Sequence, residues 1–250
     1  MNLISVLTPT QQRFLQGFFQ LSERSWLGSV QWLFHIFLRR GTAPQQFYLS
    51  GGTALAAYYL NHRYSDDLDF FTRDRENLRT TDRYVESASR AAGLRIDRVV
   101  ARGDLIQYFF SGDTHPDHPL VKSEFIFDTP PYFADPRLFD GILVDDLLCI
   151  AVNKVAIHTR FDPKDYFDLY LIIRSGAYRI EDLIRLAKQK VIGLDEWTIA
   201  AKFQQVERLP NLGEFQRNYV VTPVEPSELV RFYEEWADRL FSLFPPRGQE

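Results

Sequence analysis

The stretch from Phe47 to Phe71 constrains this chain more than any other, because strand, glycine turn, helix and acid-bearing strand follow one another directly. Phe47-Tyr48-Leu49 is apolar and ends at a glycine pair, the pattern of a short buried strand. Gly51 and Gly52 let the backbone turn sharply and let a ligand approach its amides. Thr53 is expected to cap a helix through Ala54–Leu60. A glycine turn at a helix N-terminus is an anion site, since N–H groups and the positive dipole end both face it. Downstream, Asp67 and Asp69 alternate with Leu68 and Phe70. A strand there puts both carboxylates on one face. Neighbouring carboxylates repel, and a hard divalent cation relieves that repulsion; Mg²⁺ typically takes one or two carboxylates plus substrate phosphates. Arg63 and Ser65 precede this strand as further candidate phosphate contacts, and Arg63 is equally an ion-pair partner for Asp66.

A third carboxylate is expected from a neighbouring strand. Val121 to Asp128 alternates, with Lys122, Glu124, Ile126 and Asp128 on one face. Glu124, in mid-strand, is the candidate third acid, able to bind a cation or accept a proton from an attacking hydroxyl; Asp128 is the reserve. A helix is predicted from about Asp145 to Thr159. Lys154 lies among its apolar residues, either snorkelling to solvent or reaching toward a triphosphate. Asp162-Pro163 starts the next helix, and Asp165 and Asp168 share a face on it. Pairing of these acids with Lys154 and Arg160 across the two helices is a purely structural alternative.

The arrangement Gly-Gly-Thr-Ala-Leu, then His62-Arg63 and Ser65, then Asp67-Leu68-Asp69-Phe70-Phe71, resembles the signature of the nucleotidyltransferase superfamily, specifically its AbiEii/AbiGii-type toxins. The resemblance returns in Asp145–Ile173 and is diffuse elsewhere. It implies that Lys154 contacts nucleotide phosphates and that Asp165 and Asp168 shape the base or acceptor side. Lys164 stands where such a motif would have arginine, and lysine lacks the two-pronged geometry. The resemblance further implies an RNA acceptor, such as the 3′ end of a tRNA, and a cognate antitoxin.

The expected architecture is α+β: a small mixed sheet flanked by helices over residues 1–175, followed by a helical region over 176–250 packed on it. Gly51, Gly52 and Thr53 would hold phosphates of an NTP, and Asp67, Asp69 and Glu124 would hold Mg²⁺ or Mn²⁺. A small-molecule nucleotidyltransferase of the antibiotic-modifying kind, and a non-catalytic nucleotide-binding module, stay open as alternatives. Within 250 residues a substantial core can form, and 45% hydrophobic with 25% charged residues is ordinary for a globular protein. A net charge of −4 offers no global attraction for nucleic acid. The single cysteine, Cys149, rules out an intramolecular disulfide framework and a cysteine zinc cluster. No apolar run reaches the length of a membrane span, and the start lacks a signal-peptide pattern, so a cytoplasmic location is expected.

Elsewhere, Thr8-Pro9 should start a helix burying Phe14, Leu15 and Phe18. A second helix is expected over 29–39, with His35 a structural histidine. A polar helix over 77–92 closing at Gly93 and a hairpin of Leu94–Arg102 with Asp104–Ser111 follow. The His115 and His118 loop is a poor metal site. The last helix, Pro226–Leu243, carries Leu229, Phe232, Trp236, Leu240 and Phe241 as its apolar stripe.

Overall fold

The structure, a computed structural model, describes residues 6–18, 46–65, 67–112, 122–139, 141–156, 161–209 and 212–244. The helix expected over 29–39, Asp66, the His115/His118 loop and Arg160 lie outside the described residues. By its internal contacts the chain divides into two compact units, one running to Pro130 and resuming over Ala134–Asp146, the other holding Pro131–Phe133 and everything from Leu147.

The first unit is built on a seven-stranded sheet. Its strands are β1 (Tyr48–Ser50), β2 (Asp67–Thr72), β3 (Leu94–Arg102), β4 (Leu105–Gly112), β5 (Lys122–Phe127), β6 (Arg137–Phe139) and β7 (Ile142–Val144). They lie in the order β3-β4-β5-β2-β1-β7-β6. The sheet is mixed: β2 runs parallel to β5 and β1 parallel to β7, and the remaining pairs are antiparallel.

One face of this sheet is aromatic and closed. Phe14 and Phe18 on helix α1 (Pro9–Phe18) are buried against Phe70 of β2 and Phe110 of β4, with ring centroids 4.5 Å apart for Phe18–Phe70 and 5.2 Å for Phe14–Phe110. Phe125 of β5 stacks on Phe70 at 4.9 Å. Fully burying each such ring stabilises the fold by about 1.5–3 kcal/mol. Thr8 and Gln11 bond reciprocally, backbone N–H to side-chain oxygen, and so satisfy the first turn of α1. The same alternation leaves Asp67, Asp69 and Glu124 on the opposite face, because period two sends neighbours to opposite sides.

Between β1 and β2 the chain forms one continuous helical stretch, α2, with α geometry over Gly51–Ala54 and wider π geometry over Leu55–Leu60. It ends at Asn61 in the left-handed region, where the Asn61 N–H reaches the Ala56 carbonyl. The predicted cap at Thr53 is corrected: the helix begins at Gly51, with Ser50 at its cap position. A 3₁₀ turn over Arg75–Thr80, capped by Asp74, leads into α3 (Thr81–Ala92), so the single helix predicted over 77–92 is two pieces. Gly93 closes it, and the hairpin of β3 and β4 follows as expected.

The second unit is helical. It contains α4 (Leu147–Ala156), α5 (Pro163–Arg174), α6 (Ile180–Lys190), α7 (Glu196–Gln204), α8 (Leu212–Tyr219) and α9 (Pro226–Leu243). Asp162 caps α5 ahead of Pro163 by accepting from the Lys164 N–H. Burial of Phe215 against Phe167, ring centroids 5.7 Å apart, stabilises α8. On α9 the buried stripe is Leu229, Tyr233, Ala237 and Leu240. Phe232, Trp236 and Phe241, expected in the core, are only half-buried along its flanks. Tyr233 wins the central place because its hydroxyl finds a buried partner, the Tyr166 carbonyl, at 2.6 Å.

Candidate active site

The glycine turn and the acid strand meet directly. In the antiparallel pairing of β1 with β2, Ser50 lies opposite Asp69. Gly51 then adopts φ +65°, and a Cβ built on it would lie 3.0 Å from Asp69 Cγ, closer still to Oδ2. The Asp69 carboxylate therefore lies against the backbone of Gly51, in space that only a glycine leaves open. Gly52 is equally confined: a Cβ there would lie 3.2 Å from Arg63 Cζ.

The residues around the turn are held by buried contacts. Ser50 is the cap residue of α2, yet its hydroxyl donates to Asp145 Oδ2 at 2.7 Å instead of capping the helix. Thr53 is buried, and its hydroxyl donates to the Asp67 carbonyl, tying α2 to the start of β2. Arg63 is 1% exposed, packs on Gly52 and donates to the Tyr64 carbonyl at 2.8 Å. Ser65 presents its carbonyl to Gln11 Nε2 at 2.6 Å. The structure thus gives Thr53 and Arg63 bracing contacts within the turn, beside the phosphate roles read from sequence.

The expected third acid stands next to the pair. β5 lies parallel to β2 in register, with Lys122 beside Asp67 and Glu124 beside Asp69. Lys122 Nζ is 3.1 Å from Asp67 Oδ2 and 2.8 Å from Glu124 Oε1. Gln107 Nε2 on β4 donates to the same Glu124 oxygen at 2.7 Å. Burial on its own would lower the Lys122 pKa, but the hydrogen bond to Glu124 and the charges of Asp67 and Glu124 hold it above the usual lysine range. Asp128, the reserve candidate, is buried and accepts from the Tyr48 hydroxyl at 2.6 Å.

Whether a divalent cation suits this face follows from its donors. Asp67 and Asp69 project hard oxygen donors from one strand face, their Cα atoms about 6–7 Å apart along the strand. Among the described residues no three His, Cys, Asp or Glu side chains form a ligand group around one point. A closed protein cage for a metal is therefore not what the residues build. They fit Mg²⁺ as it is commonly held, by one or two carboxylates with phosphate oxygens completing the shell.

Lys154, Asp165 and Asp168 come together in the second unit. Lys154 Nζ lies 2.9 Å from Asp165 Oδ1 and 2.7 Å from Asp168 Oδ2, and all three side chains are at most 5% exposed. The ammonium links α4 to α5, which is the cross-helix pairing the sequence offered as its structural alternative. Lys154→Met leaves two buried carboxylates without that cation, and the expected loss of stability is about 3–5 kcal/mol. Chemical denaturation measures it, and adding Asp165→Asn and Asp168→Asn to Lys154→Met should recover part of the loss.

Four residues of the site had no role from sequence. Lys122 was legible as a face-mate of Glu124, two residues away, and nothing more. Ser50, Gln107 and Asp145 gave no signal, because their parts depend on which strands become neighbours. Tyr59 fixes Asp145 further by donating its hydroxyl to the Asp145 carbonyl at 2.6 Å.

The chain is 30% identical over 156 residues to an uncharacterised protein, aq_aa25, of Aquifex aeolicus, a match covering 60% of this chain and 68% of that one. Its fold is similar to the crystal structure of an H. pylori protein provisionally assigned as a nucleotidyltransferase, at TM-score 0.51 and 16% identity, over 79% of this chain and 87% of that one. The crystal structure of JHP933 from Helicobacter pylori aligns at TM-score 0.49 and 18% identity, over 79% and 84% of the two chains. Residues 33–222 match the model of the nucleotidyl transferase AbiEii toxin family. That match spans the glycine turn, the acid strand and most of the helical unit, and the chain belongs to the AbiEii nucleotidyl transferase toxin family of type IV toxin–antitoxin systems.

Proposed function

We propose that the protein moves a nucleoside monophosphate from an NTP to a hydroxyl of an RNA acceptor, such as a tRNA 3′ end, as the toxin of a pair with a cognate antitoxin. The observation that carries this reading is the seating of Asp69 against Gly51, which sets a carboxylate beside the glycine turn at the start of α2.

In this reading the backbone amides at Gly51–Thr53 receive the β- and γ-phosphates, where the helix dipole favours negative charge. Thr53 acts through its backbone, since its hydroxyl is committed to the Asp67 carbonyl. Arg63 braces Gly52 and adds positive charge behind the turn. Asp67 and Asp69 hold a divalent cation, Mg²⁺ or Mn²⁺, which when bound supplies charge neutralisation on the pyrophosphate and lowers the pKa of the acceptor hydroxyl. Glu124 stands one strand away, 18% exposed, as the group that takes the proton of that hydroxyl. Lys154, Asp165 and Asp168 have a structural part in this reading, fixing α4 to α5 within the helical unit. The protein's part in such chemistry is positioning and electrostatics.

Incubating the protein with each α-labelled NTP, Mg²⁺ or Mn²⁺, total RNA and a panel of aminoglycosides tests the proposal. Label in RNA is the expected result. Label only in an aminoglycoside transfers the assignment to small-molecule modification. Absence of label, together with no calorimetric heat for any NTP, reduces the protein to a scaffold that keeps the shape without the chemistry. Among the described residues no helix is long and apolar enough to cross a membrane.

A further inference from the structure

Lys122 stands among the acids to which the nucleotidyl-transfer reading gives cation and proton work, and that reading leaves it without a task. Its ammonium spans the diagonal between two registered rows, touching Asp67 in one and Glu124 in the other. It is 28% exposed on its side chain, against 39% for Asp67 and 18% for Glu124, so it sits in the mouth of the acid face and not beneath it. In that place it cancels the repulsion between Asp67 and Glu124, which is also what a divalent cation would do. The two cannot occupy the same oxygens together. Glu124 Oε1 already accepts from both Lys122 and Gln107, which engages the two lone pairs of that oxygen.

We propose that Lys122 is a resident competitor for the divalent cation, restraining metal binding until a nucleotide arrives. In the nucleotide-free protein the ammonium holds one oxygen of Asp67 and one of Glu124, and its charge opposes a cation at that face. An incoming triphosphate offers the ammonium a more highly charged partner. Lys122 then turns from the carboxylates to a phosphate oxygen, which frees Asp67 for the cation and Glu124 for the proton of the acceptor hydroxyl. Metal and nucleotide consequently bind with positive coupling, and each strengthens the other by the same factor. The inference rests on the nucleotidyl-transfer reading for the identity of both ligands.

Its test is a Mn²⁺ titration of the metal-free full chain, followed by the electron paramagnetic resonance signal of the free ion, with and without a non-hydrolysable NTP. Without nucleotide, Lys122→Met is expected to bind Mn²⁺ about tenfold more tightly than the wild type, because one positive charge within contact distance of the ligands is gone. Lys122→Arg, which keeps the charge, is expected to stay close to wild type. With nucleotide bound, the gap between wild type and Lys122→Met is expected to shrink to about threefold or less, since the phosphates then hold the ammonium. Should Lys122→Met not fold for want of a counter-charge, Lys122→Gln carries the same comparison. Unchanged or weaker Mn²⁺ binding in the neutral variants overturns the competitor role. Asp67→Asn and Asp69→Asn separate the two levels. If they lose Mn²⁺ while the Lys122 variants show no gain, the transfer reading stands and only this inference falls. If they bind Mn²⁺ as the wild type does, the transfer reading falls with it.

Discussion

Asp69→Ala lowers kcat/KM for nucleotidyl transfer by at least about a thousandfold while the protein remains folded. The size follows from what is removed: a carboxylate seated against the glycine turn, in register with Glu124, and proposed to hold the cation that meets the triphosphate. The tolerance of the fold follows from where it points. The neighbours Leu68 and Phe70 are fully buried in the aromatic core, whereas Asp69 is on the half-exposed face and contributes nothing to that packing. The expected change in unfolding free energy is within about 1 kcal/mol. Asp67→Ala behaves likewise in activity. A transfer assay beside a thermal melt checks both halves, and full transfer in both variants refutes the assignment of the acids.

Gly51→Ala has the second-largest effect, and it combines two costs. A non-glycine residue at φ +65° is disfavoured by about 1–2 kcal/mol. The new methyl also meets Asp69 Cγ at 3.0 Å and Cβ at 3.1 Å, near the root of a side chain fixed in the sheet, so Asp69 cannot swing clear without moving β2. The expected loss is about 1–3 kcal/mol in stability and at least about a hundredfold in transfer, because displacement of a positioned group by about 1 Å costs that much. Combining Gly51→Ala with Asp69→Ala removes the collision with the carboxylate and leaves only the tight approach to Cβ at 3.1 Å. The double variant should regain part of the stability lost by Gly51→Ala while staying inactive. That non-additivity is the signature of direct contact. Additive losses in chemical denaturation contradict the seating of Asp69 on Gly51.

Much of the first unit could be read from the chain. Alternation in Asp67–Phe71 and in Lys122–Phe127 assigned each side chain to its face, because a strand's faces follow from its own backbone. Thr8-Pro9, Asp162-Pro163 and Gly93 marked helix ends correctly, since caps are settled by neighbours within a turn. The misreadings have a common cause. Thr53 looked like a cap because of its position after two glycines, yet its hydroxyl is claimed by a carbonyl fourteen residues on. On α9 the choice of Tyr233 over Phe232 for the core depended on a carbonyl from α5.

By itself the sequence determined the family, the identity of the two strand acids and the glycine turn, because those features are local and lie within one short stretch of chain. Only the tertiary structure decided that β5 lies beside β2, that Asp69 rests on Gly51, and that Lys122 stands between Asp67 and Glu124. Periodicity tells a side chain which way to face but not what it will face. Strand partners are chosen by the burial of a shared core, and here the packing of Phe18, Phe70 and Phe125 on one side of the sheet sets the register of the charges on the other.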